Sequence, residues 1–284
     1  MAPKIGIIGG SGLYKIGLIK NIKEHTINTP YGTPSDTISV GYIENVEVAF
    51  LPRHGKKHTI APHKINYRAN IFALKKLGIQ YLISTNAVGS LRKEMRPCDF
   101  VIAHQLIDKT AQRTSTFFED GIVAHVGFAD PFCNTLSDLA YQTIKEQNIR
   151  VHTGTYVCME GPQFSTRAES HIHRSWNADV VGMTLATEAK LAREAEMCLC
   201  GILTVTDYDC WHEEEEAVSV SSVVENLKKN DDNLATIINS FIPKIPRDKS
   251  CACHHALNHA IISSSENMKQ QPKEVQEVLL KKYL

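Results

Sequence analysis

Short apolar runs recur along this chain at residues 4–8, 46–51, 81–84, 100–104, 155–159, 179–183 and 199–206. Each is apolar or β-branched at odd and even positions alike. A strand with one wet face alternates; a strand without alternation is buried on both faces. Helical patterns fall between several of these runs. Residues 63–77 carry Ile65, Ala69 and Phe72 at helical spacing, and 135–147, 166–176 and 187–197 follow. Residues 219–242 form a long amphipathic candidate with Val220, Val223, Val224 and Leu227. Strand–helix alternation of this kind predicts an α/β fold: a single-domain mixed central sheet flanked by helices. The 43% hydrophobic content is enough for a real core. The domain is expected to span residues 1–243. A polar tail, 244–284, follows from Ile245-Pro246-Arg247 and ends in a short helix-like segment, 272–284, which either docks or frays.

Composition removes several functions. Lys and Arg total 31, as do Asp and Glu, so there is no bulk electrostatic case for nucleic acid or an anionic membrane. No apolar run approaches the ~18–20 residues of a membrane span. The start, MAPKIGIIGG, lacks the apolar stretch of a signal peptide. A cytoplasmic protein is expected. The eight cysteines do not read as a disulfide scaffold in a chain this long, and most lie in apolar segments. Cys251-Ala252-Cys253 stands apart, followed by His254 and His255. Zinc, a vicinal disulfide and an idle exposed pair are all open there. Zinc ordinarily asks for CxxC spacing and a second pair, so no metal is expected.

Chemistry-bearing residues collect at strand ends. The first strand runs into Gly9-Gly10-Ser11-Gly12, where backbone N–H groups and a hydroxyl can converge on an anion. The spacing is GxxGGxG, unlike the GxGxxG of dinucleotide folds, and a tight turn is the plain alternative. Arg53-His54-Gly55 follows the second of these runs, with His58 and His63 beyond. A guanidinium fork beside an imidazole suits a phosphate oxygen; an exposed Arg–His pair is the plain alternative. Asn86-Ala87-Val88-Gly89-Ser90 reads as a small-residue turn after the third. Three such ends predict one crevice, where open α/β sheets bind ligands. Phe164 sits on the loop side of a turn into a helix and can stack on a planar ring or pack beneath the loop. Thr206-Asp207-Tyr208-Asp209 ends the last strand. Period two puts both carboxylates on one face, where repulsion favours a proton on one of them. A helix cap and a cation site are the alternatives.

The blocks GIIGGSGLY, LPRHGKKH, NAVGSL, MEGPQFSTRAES, DVVGMT and TVTDYDCW stand in this order over about residues 4–243. Together they resemble the purine nucleoside phosphorylase superfamily, and within it the 5′-methylthioadenosine phosphorylases. The tail and DGIVAHVGFADPFC are most similar to archaeal members. The resemblance implies a pentosyltransferase: phosphate attacks C1′ of 5′-methylthioadenosine, giving adenine and 5-methylthioribose 1-phosphate. The other reading within this class is a phosphorylase for 6-oxopurine nucleosides or methylthioinosine. No metal or organic cofactor is implied, only phosphate as co-substrate, and the assembly implied is a homotrimer or homohexamer. By position, Ser11, Arg53, His54, Asn86, Ala87 and Thr184 are expected to hold phosphate. Phe164 should line the purine and Met183 the ribose. Asp207 and Asp209 should face the base edge, with Asp207 as general acid. Val220 and Val223 should line the methylthio pocket, which His58 and a neighbouring subunit's His125 should close. Ser165 matches a position that influences base choice. Two departures stand out. Asn86 occupies a position where Ser or Thr is expected in methylthioadenosine enzymes. Ala186-Thr187-Glu188 replaces an expected Val-Pro-Glu, with Thr187 available as an N-cap.

Overall fold

The computed structural model describes residues 4–10, 18–212, 220–246 and 251–284. Nine strands are described: β1 (Lys4–Gly9), β2 (Lys20–His25), β3 (Ile38–Ile43), β4 (Val46–Pro52), β5 (Ile79–Ser90), β6 (Phe100–Asp108), β7 (Val151–Cys158), β8 (Val180–Gly182) and β9 (Cys198–Asp207). They form one mixed sheet in the order β2-β3-β4-β1-β5-β8-β7-β6-β9, and β9 also pairs with β5, so that end closes on itself. The principal helices are α1 (Tyr67–Lys76), α2 (Asn134–Glu146), α3 (Arg167–Ser175), α4 (Leu185–Glu194) and α5 (Val220–Phe241).

The non-alternating runs are buried on both faces, as expected. In β1, Ile8 belongs to one apolar cluster, while Ile5 and Ile7 belong to the other. In β4, Ala49 and Leu51 oppose Val48 and Phe50. In β9, Leu199 and Leu203 oppose Cys200 and Ile202. Strands β1, β4, β5 and β9 run parallel, so their carboxyl ends open on one side.

Three local readings are corrected. Residues 86–90 are not a turn: β5 continues through Ser90, because Asn86–Val88 pair in register with Leu203–Val205 of β9. Strands β2 and β3 escape the apolar-run criterion. β2, KNIKEH, is exposed at five of its six positions, as a charged edge strand is. Finally, α4 starts at Leu185, with Thr184 rather than Thr187 at the N-cap. By contrast, α3 begins where its sequence asks: Thr166 and Glu169 form a reciprocal capping box. The end of the chain packs inward. Leu257, Met268, Val275, Leu279 and Leu280 are buried in the same cluster as Ile8 and Leu51.

Candidate active site

The parallel strand ends meet at a cavity of about 620 Å³, within the usual ~300–1,000 Å³ of small-molecule sites. Gly10 follows β1 there, and Arg53 follows β4, its backbone N–H donating to Gly9 O at 3.0 Å. Ala87 lines the cavity from β5 and is exposed despite lying within the strand. Ser11 lies outside the described residues.

Arg53 is 2% exposed and heavily committed. Its Nε donates to Glu188 Oε1 (2.5 Å), Nη2 to Glu188 Oε2 (3.2 Å) and Ser84 Oγ (2.8 Å), and Nη1 to Thr85 O (3.0 Å). Burial opposes its charge, but the adjacent Glu188 carboxylate outweighs that and holds its pKa above the ordinary value. Of the five guanidinium hydrogens, one on Nη1 is left for a ligand. The cation is thus already neutralised, and its grip on an anion is directional more than coulombic. Glu188 owes its place to the first turn of α4. In sequence Glu188 is only part of a helix start; at 1% exposed it requires the buried cationic partner that Arg53 supplies.

Asn86 and Thr184 meet across the cavity. Thr184 Oγ1 donates to Asn86 Oδ1 at 2.6 Å, and Asn86 Nδ2 donates to Ser84 Oγ at 2.9 Å. One Nδ2 hydrogen therefore remains for a ligand. The Thr184 backbone is fixed by Tyr156, whose hydroxyl accepts from Thr184 N at 3.1 Å. His54 Nδ1 lies 2.8 Å from the Ile60 carbonyl and its ring stacks on His58 at 4.5 Å. A carbonyl only accepts, so Nδ1 carries the hydrogen. Burial, then Arg53, pushes the His54 pKa down to about 4. Near neutral pH its Nε2 is consequently an acceptor, suited to a hydroxyl such as that of monohydrogen phosphate.

Two aspartates stand at and just beyond the end of β9. Asp207 Oδ2 accepts from Thr206 Oγ1 at 2.7 Å and Oδ1 accepts from Asp209 N at 2.8 Å. The pair is brought together by this turn, not by strand alternation: β9 ends at Asp207, and Asp209 has φ 52°. Both line the cavity. Asp209 Oδ2 is buried without a hydrogen-bond partner among the described residues, an arrangement that favours a ligand donor. Gly89 permits the approach, since a Cβ there would stand 2.9 Å from Asp207 Oδ1.

Phe164 lines the cavity and is 45% exposed, so it is not packed beneath its loop. Ser165 lines it too, its Oγ 3.6 Å from Met159 Sδ. Met183 lies against Gly161, which has φ 67° and no room for a side chain. Arg113, unread in the sequence, braces both segments: Nη1 donates to Met183 O (2.5 Å), Nη2 to Glu160 O (2.6 Å) and Nε to Glu160 Oε1 (2.8 Å). Val220 and Val223 of α5 face the cavity, and Val220 is 68% exposed, which a core-facing position would not be. His58 lines the cavity as well. His125 does not line this cavity; it is exposed, its N–H donating to Ala260 O at 2.9 Å.

The sequence model of the phosphorylase superfamily matches residues 4–243. An S-methyl-5′-thioadenosine phosphorylase from Koribacter versatilis is 47% identical over 284 residues, spanning 100% of this chain and 97% of its own. A methylthioadenosine phosphorylase from an antarctic soil metagenomic library has a crystal structure that superposes with a TM-score of 0.91 at 46% identity, covering 100% of this chain and 99% of that one. A variant adenosine/methylthioadenosine phosphorylase from Schistosoma mansoni, in complex with methylthioadenosine, superposes with a TM-score of 0.81 at 38% identity, covering 85% and 91%. The chain belongs to the phosphorylase superfamily and groups within it with the S-methyl-5′-thioadenosine phosphorylases.

Proposed function

We propose that this protein is a pentosyltransferase that cleaves 5′-methylthioadenosine with inorganic phosphate, releasing adenine and 5-methylthioribose 1-phosphate. One observation carries the reading: a single cavity is lined by anion-suited groups, by two aspartates and by Val220 and Val223 of α5. Phosphate sits among Gly10, the remaining Arg53 and Asn86 hydrogens, and Thr184, with Ser11 assigned to the same cradle by position. A phosphate oxygen attacks C1′ as the C1′–N9 bond breaks, and the bonding electrons pass to the purine. Asp207 delivers a proton to N7, and Asp209 orients it through the 2.8 Å contact to its backbone N–H. Holding the anion below C1′ and the acid at N7 turns the encounter into an oriented reaction. Phosphate is a second substrate; no metal or organic cofactor is drawn on.

Phe164 covers the purine, Met183 lies against the ribose, and Ser165 adjusts base choice. The carboxylate edge accepts from a 6-amino group, which a 6-oxopurine lacks, and this sets adenine above hypoxanthine. A thioether loses nothing against Val220 and Val223, whereas a 5′-hydroxyl loses its water partners there. His58, with His125 of a neighbouring copy, closes this end in a homotrimer or homohexamer. Among the described residues no helix is long and apolar enough to cross a membrane, and we place the enzyme in the cytoplasm. The test is Asp207→Asn, assayed for kcat/KM on methylthioadenosine and methylthioinosine. The ratio should move toward the 6-oxo base; an unchanged ratio removes Asp207 from base recognition.

A further inference from the structure

Cysteine buried singly is a small core residue, which accounts for Cys158 and Cys200. Four others converge. The Sγ atoms of Cys133, Cys198, Cys251 and Cys253 all lie within 4.8 Å of one another, with Cys133 and Cys251 at 3.6 Å. A tetrahedral zinc with Zn–S bonds of ~2.3 Å needs S···S edges of ~3.8 Å. A disulfide needs ~2.05 Å. The cluster therefore has the dimensions of a tetrathiolate cage. We propose that these four cysteines form a structural zinc site that fastens the C-terminal segment to the sheet.

The ligands come from three chain segments. Cys133 is the N-cap of α2, and its backbone N–H donates to Leu199 O at 2.8 Å, tying it to the start of β9. Cys198 opens β9. Cys251 is the N-cap of a single helical turn, Ala252–His255, and Cys253 lies within it. Two ligands from the fold and two from the tail close the tetrahedron, which the CxC pair could not do alone. This second pair is 65 residues apart in sequence and is brought together by the Cys133–Leu199 bond, so spacing gave no sign of it. Cys133, Cys198 and Cys253 are buried, Cys251 is partly exposed, and a cavity of about 600 Å³ reaches all four. That geometry gives a closed site with an entry path.

Arg193 lines the same cavity, a cation beside the four sulfurs. His254 Nδ1–H donates to Glu196 O at 3.2 Å, so its Nε2, 3.6 Å from Cys198 Sγ, accepts from that thiol until a metal displaces the hydrogen. Zinc entry converts the four thiols to thiolates and releases their protons to solvent; no electrons move. The C-terminal segment is also tied to Glu196, just before β9, whose carboxylate accepts from Lys282 Nζ and Tyr283 Oη.

The experiment uses the full chain purified under reducing conditions. Metal analysis after gel filtration should find one zinc per chain. Exchange with cobalt(II) should produce the intense thiolate-to-metal and visible bands of tetrahedral tetrathiolate cobalt. Cys251→Ser with Cys253→Ser should abolish both, while Cys98→Ser, outside the cluster, should keep both. If the double variant does not fold, the spectrum of the cobalt-exchanged parent decides by itself. Absence of stoichiometric metal with four alkylatable thiols overturns the proposal. So does the finding, by mass spectrometry of the protein isolated without reductant, of disulfides among these cysteines that exclude zinc. Metal retained by the double variant overturns it too.

Discussion

Replacing Glu188 by Gln keeps the shape of the side chain and removes the charge that balances Arg53. The pair is almost fully enclosed, with side chains 3% and 1% exposed. Three contacts converge on the carboxylate: two from Arg53 and one from Ser84 Oγ at 2.5 Å. Breaking a buried pair by neutralising one partner costs ~3–5 kcal/mol, because the other charge stays buried. In a chain of this size that corresponds to a fall on the order of 10 °C in the thermal midpoint. Glu188→Gln should show this fall by calorimetry. Phosphate should raise the midpoint of the variant more than that of the parent, since the anion then meets an uncompensated cation. Adding Arg53→Met should return much of the lost stability, though not activity. A Glu188→Gln midpoint within ~3 °C of the parent's, or phosphate stabilising both equally, would mean that Glu188 does not balance a buried charge on Arg53.

Three further outcomes are expected. His54 has a folded pKa of about 4 against 6.5 unfolded. Between those values the unfolded chain binds the extra proton, so stability is lost as pH falls from ~6.5 to ~4, by at most ~3 kcal/mol. Urea titrations across that window should lose part of this slope in His54→Gln. Gly89→Ala would set a methyl 2.9 Å from Asp207 Oδ1 and 3.2 Å from Val181 Cγ1. Displacing the carboxylate by a fraction of an ångström should cut kcat/KM by ~10-fold to 10²-fold, while the midpoint falls modestly. Val220→Ser should raise activity on adenosine relative to methylthioadenosine by ~10-fold or more, read as a ratio of kcat/KM values.

The core of the fold was legible because burial on both faces leaves a mark in sequence: β1, β4 and β9 lack alternation, and each feeds two apolar clusters. β2 left none, since an edge strand of Lys, Asn and Glu needs no apolar residue. Residues 86–90 read as a turn because Asn, Gly and Ser disfavour strands; pairing with β9 overrides that preference. For the site, residues at strand ends were found by position, and Arg53, Asn86, Thr184 and both aspartates do share one cavity. What sequence could not give was commitment. That Arg53 spends most of its donors on Glu188, or that Arg113 braces Met183 and Glu160, depends on residues 135 and 70 positions apart meeting in space. The four-cysteine cluster was hidden for the same reason.

Phosphorolysis and hydrolysis differ in the fate of the sugar. Incubation with methylthioadenosine, with and without inorganic phosphate, followed by phosphorus NMR and chromatography of the base, addresses it directly. Phosphorolysis gives adenine and 5-methylthioribose 1-phosphate in equal amounts, and no turnover once phosphate is removed. Release of adenine with free 5-methylthioribose in phosphate-free buffer would contradict it.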